Sequence, residues 1–351
     1  MPRPATLLPP LLACIAAIGC ANATQRTAPA TSPAAQAAID ASTSEILKGN
    51  SALALEALRA VPADAFAPAD AAYRACMFER FERTSPPATT VAVEDALVAD
   101  VLGLYQHYWW QALATPAQRK PLTDRLERDL RSLLGARATA AKDMEALEAL
   151  LTTELQARGY HAQLGRTPPL QELMLWRRQD TREYRVDLPE GPQTVQVDLL
   201  DDFVSRGWSS YARCERGSAG GWATDERLYA VVPSYTKDGG LESEAFKVVF
   251  LGHEAQHFAD QNRYPDMPSW ELEYRAKLVE LAQAEQLSGK RLRSFVTAQG
   301  DDPDSPHTYA NKRVVAALAA RLGGRAPDTV AIPELQAAAR AELMADSARR
   351  K

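Results

Sequence analysis

The chain is poor in histidine, with five, and in cysteine, with four, and it carries no block of Lys or Arg. So few cysteines in so long a chain rule out a disulfide-dense mini-domain. Lys plus Arg total 40 against 45 for Asp plus Glu, a formal charge of −5. No basic surface is offered to a phosphate backbone, and nucleic acid is excluded as a partner. Long apolar runs are missing too. The longest, from about Leu7 to Cys20, falls short of the roughly 20 residues a spanning helix needs and contains Pro9 and Pro10. A bundle of membrane-spanning helices is excluded. What is present is 351 residues, 46% hydrophobic and 24% charged, enough for a sizeable core in one large or two smaller domains.

The first twenty residues read as an address. Arg3 supplies a positive charge, LLPPLLACIAAIG an apolar run, and small residues follow where a signal peptidase cuts. Ala17-Ile18-Gly19-Cys20 is similar to a bacterial lipobox, although Ala17 stands where Leu is usual; Ala21-Asn22-Ala23 suits ordinary cleavage. Residues 21–35 are small, polar and Pro-containing, as a flexible tether would be. The expectation is a periplasmic outer-membrane lipoprotein whose only membrane contact is a lipid anchor at Cys20, or a secreted soluble protein under the second cleavage. Once Cys14 leaves with the signal and Cys20 is lipidated, Cys76 and Cys214 remain, the number for one disulfide. Two separate buried thiols are the alternative.

Residues 36–165 repeat their apolar positions at helical spacing, as in EDALVADVLGLYQHYWWQAL, with breaks near Pro62, Ser85-Pro86-Pro87, Pro116 and Gly135. A helical domain of four or five helices is expected there, and a second domain over 166–351. Alternation then appears at Tyr184, Val186 and Leu188, and again at Val195, Val197 and Leu199, around a Glu190-Gly191-Pro192 turn. That is a β-hairpin signal. RLYAVVPSY reads as a further strand, at a sheet edge because of Pro233. The fold class is therefore α+β, mostly helical, with a small antiparallel sheet.

Beyond the break at Asp238-Gly239-Gly240, the helical run LESEAFKVVFLGHEAQHFADQ contains His253, Glu254 and His257 as H-E-x-x-H. Residues four apart on a helix lie about 40° apart around its axis, so both imidazoles can reach one metal ion. Glu254 adjoins that face and could take a proton from a metal-activated water. The neighbouring VVFL run argues against a solvated surface helix. A catalytic zinc usually takes three protein ligands. The next helix, SWELEYRAKLVELAQAEQ with Ser269 as a candidate N-cap, offers Glu271, Glu273 and Glu280. Glu273 and Glu280 are seven apart and share a face, whereas Glu271 points about 200° away from Glu273.

Over residues 240–290 the sequence resembles the gluzincin group of zincin metallopeptidases, in which a Glu on the next helix completes H-E-x-x-H. Several such families place Ala three residues after that Glu, and Glu273-Tyr274-Arg275-Ala276 has this spacing. The resemblance implies a zinc hydrolase, with a peptidase as the leading case. His253, His257 and Glu273 would hold zinc, Glu254 would be the general base, and the sheet would pack on the active-site helix pair. It further implies that an edge strand binds extended peptide, a role for which RLYAVVPSY is the candidate. The substrate would be a peptide or protein of the cell envelope. Lys277 departs from the group, where an Asp after that Ala supports a ligand histidine. The support must come from elsewhere, and Asp260, one turn past His257, is a candidate.

His307, Tyr309 and Arg313 in DSPHTYANKRV are candidates for stabilising an oxyanion. His107, within YQHYWW, reads as helix packing, and His161 as a helix-end cap after Gly159. Two other readings compete. One is a non-catalytic envelope lipoprotein that binds a partner through its helices and keeps a vestigial or structural zinc site; the other is a zinc amidase acting on a non-peptide bond.

Overall fold

The computed structural model describes residues 30–217, 219–224 and 226–350. The expected signal sequence, Cys20 and most of the expected tether lie outside them. The expected tether reaches residue 35, but helix α1 (Pro33–Leu47) begins at Pro33 and buries Ala35. Five more helices follow: α2 (Ser51–Arg59), α3 (Pro68–Phe81), α4 (Ala96–Ala114), α5 (Arg119–Leu134) and α6 (Met144–Gln156). Their ends are set by local chemistry. Pro33 and Pro68 open helices where no N–H is needed. Asn50, Asp95 and Asp143 accept hydrogen bonds from the N–H groups of Leu53, Val98 and Ala146. The expected breaks all occur, and one more at Gly49-Asn50 raises the number to six. Cys76 and Cys214 form a disulfide that spans 138 residues of sequence.

Strands β1 (His161–Thr167), β2 (Leu170–Leu188) and β3 (Gly191–Arg206) form an antiparallel meander. A short helix α7 (Trp208–Ala212), then β4 (Gly221–Ala223) and β5 (Leu228–Val231), complete a five-stranded sheet of order β1-β2-β3-β5-β4. The hairpin is expected, but its strands are far longer than the alternation suggests, and the tight turn is Pro189-Glu190. Two expectations for the sheet are corrected. It is mixed, since β5 runs parallel to β3. RLYAVVPSY is not at the edge, because β5 lies between β3 and β4 and the edge beyond it is β4. Pro233 falls after β5 in a 3-10 turn, where it need not donate to a ladder.

The long hairpin joins two cores. Its open end, with Leu170, Leu173, Leu175 and Val204, belongs to the core of helices α1–α7. Its turn end, with Val186, Leu188, Val195 and Val197, belongs to a second core. The first core thus runs past residue 165 and takes in strand residues assigned by sequence to the second domain. The second core is completed by α8 (His253–Arg263), α9 (Ser269–Gln283), α10 (Ser288–Thr297), α11 (Pro306–Arg321) and α12 (Ile332–Arg349). Two smaller differences are local. His161 is not a cap but opens β1 and stacks on Trp176, and α9 starts after Pro268, so Ser269 is its first residue. Among the described residues no helix is long and apolar enough to cross a membrane.

Candidate metal centre

Eight residues in π-helical turns, Ala245–Gly252, lead directly into α8. One extra residue per turn shifts the helical register just before His253, a device found often at functional sites. Phe246 and Phe250 pack against Tyr235. Gly252 permits close approach, since a Cβ there would meet Gln283 Oε1 of α9 at 3.2 Å.

The H-E-x-x-H histidines meet Glu273 across the α8–α9 contact. The ligand atoms of His253, His257 and Glu273 all lie within 4.8 Å of one another. His253 Nε2 is 2.9 Å from His257 Nε2, and His257 Nε2 is 3.3 Å from Glu273 Oε1. Two ring nitrogens and a carboxylate converging on one point are a donor set for a divalent cation, and two imidazoles with one carboxylate suit zinc.

The other acidic candidates separate cleanly. Glu271 is ion-paired with Arg350, away from the histidines. Glu280 does not join the His253, His257 and Glu273 group but lies behind His253: its Oε1 is 2.6 Å from His253 Nδ1, and its second oxygen accepts from Arg291. That contact leaves Nε2 of His253 facing His257 and Glu273, an arrangement that a metal-binding imidazole would need. Asp260 does not orient His257. It accepts a 2.8 Å bond from Arg275 Nε, and His257 Nδ1 is buried without a hydrogen-bond partner.

Charge follows this geometry. Burial alone would depress His253, but hydrogen bonds with Glu273 and Glu280 outweigh it and lift its pKa to about 9. Burial would raise Glu273, yet its contacts with His253, His257 and His307 hold it far below the carboxylate range. Glu280 is likewise lowered, with His253 and Arg291 prevailing over its burial.

His253, Glu254, Lys277, Glu280, Arg291 and His307 all line a cleft of about 410 Å³ whose opposite wall includes Gly220, Gly221 and Tyr235. Glu254 is half-buried there and makes neither a hydrogen bond nor an ion pair among the described residues. Of the three oxyanion candidates only His307 reaches the site, with Nδ1 2.8 Å from Glu273 Oε2. Tyr309 packs edge-on against Trp270, and Arg313 lies over the same ring. His107 tilts against Trp110 in the first core, as expected of helix packing.

Sequence reading missed three features. Glu280 as the partner of His253 could have been suspected from its place seven residues after Glu273. Lys277 was recognised only as a departure, yet its Nζ is 3.0 Å from Glu273 Oε2. The cleft wall at Gly220-Gly221 left a signal in its paired glycines. A Cβ on Gly221 would strike Tyr229 O at 2.1 Å and the Phe250 ring at 2.4 Å, so β4 can approach Phe250 this closely only because position 221 has no side chain.

No family model matches the chain, and neither a curated protein nor a solved structure matches it.

Proposed function

We propose that this chain is a zinc-dependent metallohydrolase acting on peptide bonds, exported to the cell envelope and tethered there through Cys20. The observation that carries the reading is the His-His-Glu donor set beside a carboxylate, Glu254, that lines the same cleft as His253 and makes neither a hydrogen bond nor an ion pair among the described residues. A purely structural zinc site has no use for such a group, and this favours an enzyme over a vestigial centre.

His253, His257 and Glu273 would hold the metal, and Glu280 fixes the orientation of the His253 ring. When bound, zinc would lower the pKa of a coordinated water toward about 7 and polarise the scissile carbonyl. Glu254 would accept the proton of the attacking water and deliver it to the leaving amine. Among the described residues β4 pairs with β5 alone, and its first residue, Gly221, lines the cleft. An extended peptide could add there by backbone hydrogen bonding, a role that passes to β4 from the interior strand first assigned to it.

The test is Glu254→Gln in the mature chain, assayed against a mixture of unstructured peptides. The expected result is a 100-fold or greater loss of hydrolysis with zinc content unchanged. Equal hydrolysis by the variant, or none by the zinc-loaded wild type, would refute the peptidase reading.

A further inference from the structure

Arg291, in the first turn of α10, lines the cleft together with His253 and Glu254, and its side chain is 26% exposed. A guanidinium carries five N–H groups in a planar fork. Nε of Arg291 donates to Glu280, which is fully buried and whose other oxygen is 2.6 Å from His253 Nδ1. Its Nη1 and Nη2 make no hydrogen bond among the described residues. The Phe295 ring, 5.2 Å from Cζ, makes part of its surroundings apolar. The other charged groups of the cleft are placed differently. Lys277 and His307 lie against Glu273. Glu254 and Asp238 are the remaining carboxylates, and neither forms an ion pair with Arg291 among the described residues. Asp238 is exposed to water on its side of the cleft.

We propose that Arg291 is a specificity-determining residue: it recognises a carboxylate of the bound peptide, so that the preferred substrates carry a C-terminal carboxylate or an acidic side chain close to the bond that is cut. This rests on the peptidase reading given above. A carboxylate accepts two parallel N–H bonds from the edge of a guanidinium, and the Nη1–Nη2 edge of Arg291 has that pair unspent. An arginine already anchored through Nε to a buried acid loses little further side-chain freedom when its remaining edge is used. The cleft, of about 410 Å³, holds only a few residues of an extended chain, so a carboxylate that reaches Arg291 belongs to a residue near the one facing Glu254.

The experiment uses unstructured peptides of one neutral sequence in matched pairs. One set ends in a free carboxylate or in an amide; the other carries Glu or Gln at each position in turn. For every pair kcat/KM is measured with wild type, Arg291→Gln and Arg291→Lys in the full mature chain. The ratio within a pair is internal to each protein, so it does not move when a variant holds less metal or folds less completely. The expected result is a preference of about 10- to 100-fold for the carboxylate member in at least one set, carried mainly by KM. That ratio should fall to near one in Arg291→Gln and lie between the two in Arg291→Lys, which keeps the charge without the fork. The set that shows the preference identifies the source of the carboxylate. Equal rates within every wild-type pair, or a preference that survives in Arg291→Gln, would overturn the assignment. Binding of the same pairs to Glu254→Gln, with and without Arg291→Gln, is read by calorimetry and keeps the two readings apart. A carboxylate preference in binding that disappears with Arg291 upholds its role even where wild type cleaves nothing, and the peptidase reading alone then fails. Equal binding within every pair overturns the role of Arg291 whatever the hydrolysis.

Discussion

The two cores joined by the hairpin are built from different materials. The first is apolar and aromatic, and its polar ring atoms serve the backbone: the indoles of Trp109, Trp110 and Trp208 donate to the carbonyls of Gln171, Arg80 and Thr167. Its carboxyl Glu172 accepts from the N–H groups of Leu173 and Trp208. The second core buries Arg275, Lys277, Asp260, Glu273 and Glu280 within two packed helices. Such groups add little stability over apolar residues of the same size, and removing one partner is expensive. The contrast teaches that the first core is organised to hold its shape and the second to hold charges in place around a histidine pair.

The largest effect that would break this contrast concerns the covalent link. Replacing Cys76 and Cys214 by Ser should cost about 4 to 5 kcal/mol by the chain-entropy model, and denaturant titration followed by tryptophan emission would read it. A loss well under 1 kcal/mol would mean that the packing of α3 on α7 already holds that end without the bond.

Next comes Arg275, which is fully buried. Its guanidinium joins Asp260 of α8, Asp346 of α12 and Glu190 at the hairpin turn. It stands two residues from Glu273, and its partner Asp260 three residues from His257, so it clamps α8 and α9 together beside the histidine pair. Arg275→Met should cost about 3 to 5 kcal/mol by leaving acids unpaired. Hydrogen exchange should show loss of protection in α8 and α9 with α4 unchanged. Equal loss in both cores would show that they are one cooperative unit.

A pH series sharpens the comparison from the other side. Burial raises the Glu172 carboxyl from 4.5 to about 7, against the lowering effect of its backbone hydrogen bonds. The folded state therefore binds this proton more tightly than the unfolded chain does. Its contribution is full below about pH 4.5 and is lost as pH rises through about 7, a fall on the order of 3 kcal/mol. Glu172→Gln should flatten that slope, and an unchanged slope would contradict the assignment. The smallest effect belongs to a helix end: Asp143→Ala removes the N-cap of α6 and should cost about 1 kcal/mol, visible as a small drop in the thermal midpoint.

What could be read from the sequence was local. Pro62, Pro86-Pro87, Pro116 and Gly135 mark helix ends by their own backbone chemistry, and Asn50 after Gly49 carried the same kind of signal. Helical spacing brought His253 and His257 to one face, and the E-x-x-A spacing led to Glu273, which the structure brings beside them. The remainder depended on neighbours distant in the chain. Whether β5 is an edge is decided by a three-residue strand in a glycine-rich segment, which alternation cannot reveal. The duty of Asp260 was settled by Arg275 on the following helix, and that of Glu280 by how closely α8 approaches α9. Spacing along one helix says which residues share a face, and only packing says which atom each one meets.

The most direct measurement is metal content of the purified mature chain, wild type beside His257→Ala and Glu273→Ala. The account predicts about one zinc per wild-type chain and large losses in both variants. A folded wild type that neither contains zinc nor takes it up would contradict it and leave a partner-binding lipoprotein as the better description.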